Sequence, residues 1–176
     1  MKIVRLFIYT IIFALYLSLC TVTFASDYVL PYPSYMPGHK LYVVSEWFDQ
    51  MKKYWFFGDI SGLKYERAMA DKYLIEAETL FEYGQYKFAV EALSKSDTHF
   101  TNEIVHLISI TNKEKDDGQQ KDLVRKQAER HKEILTQLEE MLPETIVWQE
   151  EHQKSQEYSL RMILLTSKTT RDYAYR

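Results

Sequence analysis

Apolar residues recur at alternating spacings of four and three along most of the chain, and the clearest stripe begins at Leu63. This spacing brings the side chains onto one face of an α-helix, so it predicts an amphipathic helix with a narrow packing seam. Ala70 and Ala77 within the seam predict that a neighbouring helix approaches closely. The stripe consists of Leu63, Arg67, Ala70, Leu74, Ala77, Phe81 and Gly84.

Three further stripes of the same kind predict helices over about 40–57, 86–113 and 119–142. The first carries Val44, Trp47, Phe48, Met51 and Trp55 on one face. The second carries Ala89, Leu93, Ser96, Phe100, Ile104, Leu107 and Thr111. The third carries Val124, Ala128, His131, Leu135, Leu138 and Leu142.

The segment after Pro143 predicts a fifth helix, over about 144–168, because proline suits a first helical turn. This segment is apolar at both ends and polar between Gln149 and Gln156. Short connections between long amphipathic helices favour antiparallel neighbours. We therefore predict an all-α fold for residues 40–176: an up-and-down antiparallel bundle of about five helices, without a β-sheet.

Residues 26–39 predict an extended arm ahead of the bundle, because Pro31, Pro33 and Pro37 fix φ and remove backbone donors. An extended segment cannot pair its own backbone, so it must lie on a surface. We expect the arm to dock on the bundle and to cover part of the aromatic surface of the first helix. That surface comprises Trp47, Phe48, Trp55 and Phe56.

Residues 1–25 have the pattern of an export signal: two basic residues precede a stretch, 6–25, without any charged residue. Small side chains at its end favour cleavage between Ala25 and Ser26. The stretch is also long enough to cross a hydrocarbon core of about 30 Å, so an uncleaved anchor stays open. The sequence thus predicts a secreted or extracytoplasmic protein, or one anchored to the membrane by residues 6–25.

The chain has one cysteine, Cys20, inside this apolar stretch. A lipidation motif requires a small residue before the cysteine, and Leu19 stands there, so lipidation is a minor alternative. Cleavage after Ala25 would leave a mature chain without a disulfide, a thiolate nucleophile or a sulfur ligand for a metal.

The formal net charge is -3, which disfavours a nucleic-acid partner. Nucleic-acid binders normally carry a basic surplus or stripe, because neutralised phosphates supply much of the affinity. The nearest basic cluster, over residues 125–132, is interleaved with acidic residues and indicates a solvated helix face.

Known catalytic motifs are missing: the sequence contains no glycine-rich phosphate loop, no G-x-S-x-G and no H-E-x-x-H. His99, Glu103 and His106 share a helix face and form weak metal candidates, but helical di-iron sites need a second Glu-x-x-His unit. Ala128 stands three residues before His131, so that unit is absent. We predict no metal, no cofactor and no catalytic residue, and we expect His131 to be hydrogen-bonded at the core edge and not a pH sensor.

The end of the first predicted helix, Lys52–Phe57, combines two lysines with four aromatic residues. Such a segment suits a membrane interface, with lysines at the head groups and rings below them. A small bundle must also place its large rings inside, so we favour core packing here.

An L-P-Y-P arm over residues 30–33, an aromatic helix end over 55–57 and an Ala/Glu-rich helix over 66–78 occur in this order. The order resembles a bacterial family of exported helical domains of unknown function, over roughly residues 27–142. The resemblance implies an exported helical domain and supplies no activity. A weaker resemblance, over Leu80–Leu93, is to one hairpin of a tetratricopeptide repeat, although an array needs several such units.

The leading hypothesis for function is a non-catalytic binding or scaffolding protein of the cell envelope. Its partner would be an unknown envelope protein, with membrane contact through the N-terminal segment if that segment is uncleaved. The alternative is an enzyme or metal-binding bundle with a cryptic His/Glu site on the third helix.

Overall fold

The computed structural model describes residues 28–33, 35–113, 118–148 and 156–175, so the predictions for residues 1–25 lie outside it. Within these ranges the chain forms five helices, a two-stranded sheet and a final 3-10 turn. The helices are α1 (Tyr42–Trp55), α2 (Asp59–Glu82), α3 (Tyr86–Asn112), α4 (Gln119–Met141) and α5 (Leu160–Arg171). The remaining elements are β1 (Thr145–Trp148), β2 (Gln156–Ser159) and the 3-10 turn (Asp172–Tyr175). In the described part, none of the helices has the length and apolar character that a membrane span requires.

The helices α2 and α3 form an antiparallel hairpin joined by a tight turn at Gly84. A positive φ of 70° at Gly84 is easy for glycine, which allows the chain to reverse directly after α2. Contacts between the two helices pair rising residue numbers in α2 with falling numbers in α3, as in Asp59–Lys113, Glu66–His99, Ala70–Ser96 and Phe81–Tyr86. The predicted all-α bundle is confirmed.

The apolar core of the bundle has two main clusters, and the predicted stripes of α2, α3 and α4 supply most of both. The first cluster lies towards the α2–α3 turn and the second towards the other end of the hairpin. The first contains Leu74, Ile75, Ala77, Leu80, Phe81, Ala89, Ala92, Leu93, Ile134, Leu135, Leu138, Leu160 and Leu164. The second contains Leu63, Ala70, Phe100, Leu107, Ile110, Val124, Ala128 and Ala174.

The fifth helix is shorter than predicted, and the prediction that the chain has no β-sheet was wrong. The strands β1 and β2 pair antiparallel, with Ile146 opposite Tyr158, and α5 begins only at Leu160. Thr145, Ile146 and Val147 are β-branched, which favours an extended backbone. Ser159 then caps α5, because its Oγ accepts a hydrogen bond from the Met162 backbone N–H at 3.3 Å.

The arm contacts the bundle, but at a different place from the predicted one. Leu30 and Met36 pack against the first apolar cluster. The aromatic surface of α1 is not covered, since Trp47 is 57% exposed and Trp55 is 69% exposed. The expectation that the arm shields this surface was wrong, because the apolar side chains of Leu30 and Met36 pack against the first apolar cluster instead.

Candidate functional site

A layer of polar side chains lies between the two apolar clusters, and we call it the polar layer. It occupies the depth at which the apolar stripes of α3 and α4 are interrupted, at Ser96 and His131, both with 0% exposure. The members of the polar layer are Asp71, Ser96, Asp97, Gln127, His131, Ser167 and Arg171.

Arg171, the last residue of α5, is the centre of this layer and is 0% exposed. Its Nη1 donates to Asp97 Oδ1 at 2.6 Å and its Nη2 donates to Ser96 Oγ at 2.9 Å. Its Nε donates to His131 Nδ1 at 3.0 Å, and the guanidinium lies 4.7 Å from the centroid of the Phe100 ring. The guanidinium therefore joins the end of α5 to both α3 and α4.

The hydrogen bond from Arg171 determines which ring nitrogen of His131 carries the proton. Because Nδ1 accepts a hydrogen bond, the proton of the neutral ring is on Nε2, which donates to Asp71 Oδ1 at 2.8 Å. Burial lowers the pKa of His131 from 6.5 to about 4, and the charge of Arg171 adds to this, against the bond to Asp71. His131 is consequently neutral at physiological pH.

Asp71 accepts hydrogen bonds from three side chains, two of them on α4 and one on the arm. Besides His131, Gln127 Nε2 donates to Oδ1 at 2.7 Å, and the Tyr28 hydroxyl donates to Oδ2 at 2.6 Å. Burial and the neighbouring Asp71 charge raise the pKa of Tyr28, so the phenol stays a donor. This carboxylate thus attaches the arm to the core of the bundle.

The structure does not bring the weak metal candidates together. Glu103 Oε1 accepts from Arg67 Nε at 2.8 Å, and burial raises the pKa of Glu103 to about 8 although Arg67 opposes the shift. His99 Nδ1 lies 2.6 Å from Glu66 Oε2. His106 covers Gly62, where a Cβ atom would lie 2.8 Å from its Cε1. Among the described residues, no group of three or more His, Cys, Asp or Glu side chains is placed to hold a metal ion.

The apolar stripe of α1 faces away from the bundle, which contradicts the core packing favoured from the sequence. In α1, every residue of which the structure describes, Asp49 alone is buried. The apolar residues form an outward face: Val43 is 71% exposed, Val44 47%, Trp47 57%, Phe48 51% and Trp55 69%.

The inner side of α1 is polar and attaches to α2 and α3 through charged groups. Lys72 Nζ donates to Asp49 Oδ2 at 2.5 Å, and Tyr65 Oη donates to the Asp49 carbonyl at 3.1 Å. About one turn earlier in α1, Glu46 Oε1 accepts a hydrogen bond from Lys95 Nζ at 2.6 Å. These bonds explain the orientation of α1, because turning it over would break them and place apolar side chains on charged groups.

The pKa values of the ionisable groups on this inner side are shifted in the directions that preserve their hydrogen bonds. Burial alone would raise the pKa of Asp49, but the hydrogen bonds from Lys52 and Lys72 outweigh it and lower that pKa. Burial and the bond to Glu76 raise the pKa of Tyr42, whose hydroxyl donates to Glu76 Oε1 at 2.8 Å. The contact is therefore charge-assisted over most of its length.

A pocket of about 360 Å³ lies between α1 and the α2–α3 hairpin. Its wall includes Glu46, Asp49 and His99, and the His99 ring stacks on Tyr73 with centroids 5.4 Å apart. Both carboxylates in the wall already bond lysines. The pocket is large enough for a small ligand, but its two carboxylates are already engaged in ion pairs.

Most of the polar layer was missed from the sequence. Arg67 and His131 are polar positions within the stripes of α2 and α4, and Ser96 interrupts the stripe of α3 in the same way. That recurrence was the available signal for a polar layer in the core. Arg171 carried no signal, because it follows the predicted end of the fifth helix.

The comparisons with known proteins place the chain in a family. No curated protein and no solved structure matches it. The likeness to a tetratricopeptide hairpin stays a prediction, and the L-P-Y-P arm over residues 30–33 precedes the matched part of the chain. Residues 34–145, from the end of the arm through α4, match the family described as Domain of unknown function (DUF5667). Since this match covers more than half of the 176 residues, the chain belongs to the DUF5667 family.

Proposed function

We propose that this protein is a non-catalytic binding module that acts outside the cytoplasm. The bundle of α2 to α5 serves as a rigid support, and the outward face of α1 is the binding surface. Export is inferred from residues 1–25, whose uncharged stretch follows two basic residues.

The observation that carries the proposal is the orientation of α1. Five apolar side chains, from Val43 to Trp55, lie on one side of a helix and remain about half exposed or more. Soluble monomers rarely leave a contiguous apolar patch of this kind uncovered, so such a patch marks an interaction site. The polar inner side holds the helix in this orientation, which keeps the outward face available.

The bonding of the polar layer supports a non-catalytic role. A general base needs a free lone pair within reach of a substrate. His131 accepts from Arg171 with one ring nitrogen and donates to Asp71 with the other. Its conspicuous Asp–His pair is therefore committed to holding helices together.

The alternative function, an enzyme or metal-binding bundle, has its best support in the pocket that His99 lines. Elemental analysis of protein purified without chelator tests it. We expect no stoichiometric transition metal. One metal ion per protein molecule, lost in His106→Ala, would favour the alternative. His106 is suited to this test because it is one of the metal candidates and is not part of the polar layer.

Photocrosslinking in intact cells tests the binding proposal directly. A benzophenone amino acid at Phe48 is expected to form adducts with a protein or a lipid. The control position is Gln137, which is exposed on α4 away from the outward face. Absence of adducts from Phe48, or equal adducts from both positions, would contradict the proposal.

A further inference from the structure

The outward face of α1 has the composition of a surface that meets a lipid–water boundary. Trp47 and Phe48 pack edge to face with ring centroids 5.4 Å apart, and both remain exposed. Three more aromatic residues continue the surface at its end: Tyr54 is 75% exposed, Trp55 69% and Phe57 83%. Tryptophan and tyrosine favour membrane interfaces, because their rings are apolar and their polar atoms reach water.

The charges around this face are basic. The two acidic residues of α1, Glu46 and Asp49, turn towards the bundle, where Lys95 and Lys72 bond them. Lys52 pairs with Asp49 at 2.8 Å but keeps half of its side chain exposed, and the next residue, Lys53, is exposed as well. An apolar helix face bordered by lysines complements anionic lipid head groups.

A second copy of the chain fits the same face poorly. Lys40, two residues before α1, is exposed, and Lys52 and Lys53 lie near the other end of the helix. Two such faces packed together would bring lysines against lysines in either a parallel or an antiparallel arrangement. Like charges placed opposite each other disfavour association, whereas an anionic lipid surface neutralises both ends at once.

The chain also keeps α1 within reach of any membrane that residues 6–25 enter. Sixteen residues lie between Ala25 and Tyr42, and an extended chain of that length spans about 60 Å at most. If residues 6–25 are retained, this tether raises the local concentration of the outward face at the bilayer. If they are cleaved, the face must bind by itself.

We infer that the outward face of α1 docks on the interface of an anionic lipid bilayer, with the helix axis along the membrane surface. This inference rests on the proposed binding function and specifies its partner. Trp47 and Trp55 enter the boundary between head groups and acyl chains, and the exposed Lys40 and Lys53 bind the lipid phosphates. The bundle stays on the aqueous side.

Quenching of tryptophan fluorescence by brominated lipids tests the inference. The full chain with Trp148→Phe is used as purified from the producing cells, so that Trp47 and Trp55 are the fluorophores. Vesicles contain phosphatidylcholine alone or together with phosphatidylglycerol. We expect at least about a twofold loss of emission with brominated acyl chains, because a helix in the interface lies roughly 5–10 Å deep. The loss should be larger with phosphatidylglycerol and should decrease as salt is added.

Two double variants in the same background separate the outward face from other exposed apolar residues. Val44→Ser with Phe48→Ser should remove most of the quenching while keeping both fluorophores. Val105→Ser with Met141→Ser is the matched control, because these residues are 60% and 62% exposed on α3 and α4. The control should be quenched like the parent.

The remaining outcomes decide between the inference and the proposed function. Absence of quenching together with a protein adduct from Phe48 would overturn the lipid inference and leave the binding function standing. Self-association in sedimentation that Val44→Ser with Phe48→Ser abolishes would do the same and would assign a second copy as the partner. Absence of both quenching and adducts would overturn the inference and the proposed function together.

Discussion

The helix α1 and the bundle of α2 to α5 use the same sequence pattern in opposite ways. In the bundle, the apolar stripes meet each other and the interruptions, such as His131, are tied into the polar layer. In α1, the stripe faces outward and the charged side, with Asp49, faces inward. The comparison teaches that periodicity predicts a helix and its two sides, whereas the neighbouring surface decides which side is buried.

The difference follows from what lies beside each helix. The stripe of α2 meets the stripes of α3 and α4, so burial of apolar surface drives their association. The surface beneath α1 presents the ammonium groups of Lys72 and Lys95, which bond Asp49 and Glu46. A helix with apolar and polar sides therefore attaches there by its polar side, and four predictions test this contrast.

The largest effect is expected at the centre of the bundle, for Arg171→Met. Removing the guanidinium leaves Asp97 Oδ1 and the acceptor nitrogen of His131 without the donor that Arg171 supplies. Breaking a buried charged network in this way costs about 3–5 kcal/mol of unfolding free energy. Urea denaturation followed by circular dichroism measures the loss.

Arg161→Met is the matched control, because Arg161 is 63% exposed, and its change should stay within about 0.5 kcal/mol. Equal changes in both variants would show that the polar layer does not stabilise the bundle.

The second effect is a loss of stability in acid that depends on His131. The folded protein holds the pKa of His131 at about 4, below its ordinary 6.5, so the unfolded chain takes up the proton first. Stability is therefore lost as the pH falls from about 6.5 towards 4, by about 3 kcal/mol from this group. The measurement compares unfolding free energies of the parent and His131→Gln at several pH values.

The difference between the two proteins isolates His131, because other groups titrate in the same range. Burial raises the pKa of Glu103 to about 8, and stability from that group is lost as the pH rises, with the opposite sign. In His131→Gln the acid-dependent loss should shrink, whereas the exposed His39→Gln should keep it. An unchanged pH profile in His131→Gln would mean that the buried ring is already charged.

A smaller effect is expected at Ala77, on the apolar stripe of α2. Ala77 is fully buried within the first apolar cluster, so Ala77→Leu forces extra volume into a packed contact. Overpacking of this kind costs about 1–3 kcal/mol, measured by thermal or urea unfolding. Ala68→Leu on the exposed side of α2 is the control and should change stability by less than about 0.5 kcal/mol. A stable Ala77→Leu variant would place this side of α2 next to free space.

The smallest effect is expected on the outward face of α1, and it distinguishes that helix from the bundle most directly. Replacement of the half-exposed Phe48 by serine should change the unfolding free energy by less than about 0.5 kcal/mol. Leu74→Ala, in the first apolar cluster, should cost about 2–5 kcal/mol in the same assay. A large loss in Phe48→Ser would show that the outward face is packed in solution.

The sequence predicted the helices of the bundle closely. The third helix, expected over about 86–113, is Tyr86–Asn112, and the fourth, expected over about 119–142, is Gln119–Met141. These bounds follow from local periodicity and from the glycines at the turns. The hairpin of β1 and β2 was missed, because a short apolar run such as that around Ile146 is compatible with either a helix or a strand by periodicity alone.

The candidate site depended on tertiary contacts, which a single sequence does not contain. The spacing of His99, Glu103 and His106 placed them on one helix face, but α2 supplies each with a different neighbour, such as Arg67 for Glu103. The orientation of α1 likewise depends on Lys72, a residue of another helix. Contacts between helices therefore determine both the surroundings of the metal candidates and the orientation of α1.

The attachment of α1 through ion pairs gives the molecule two levels of protection from hydrogen exchange. Lys72–Asp49 and Lys95–Glu46 are weakened by added salt, whose screening length is about 10 Å at 0.1 M. Amides of α1 can then exchange through local detachment of the helix, whereas those of α2 and α3 exchange only through global unfolding. Detachment would also uncover the small cluster of Tyr65, Met69 and Tyr73 beneath the helix. Ionic strength thereby sets how long α1 remains fixed to the bundle, independently of how stable the bundle is.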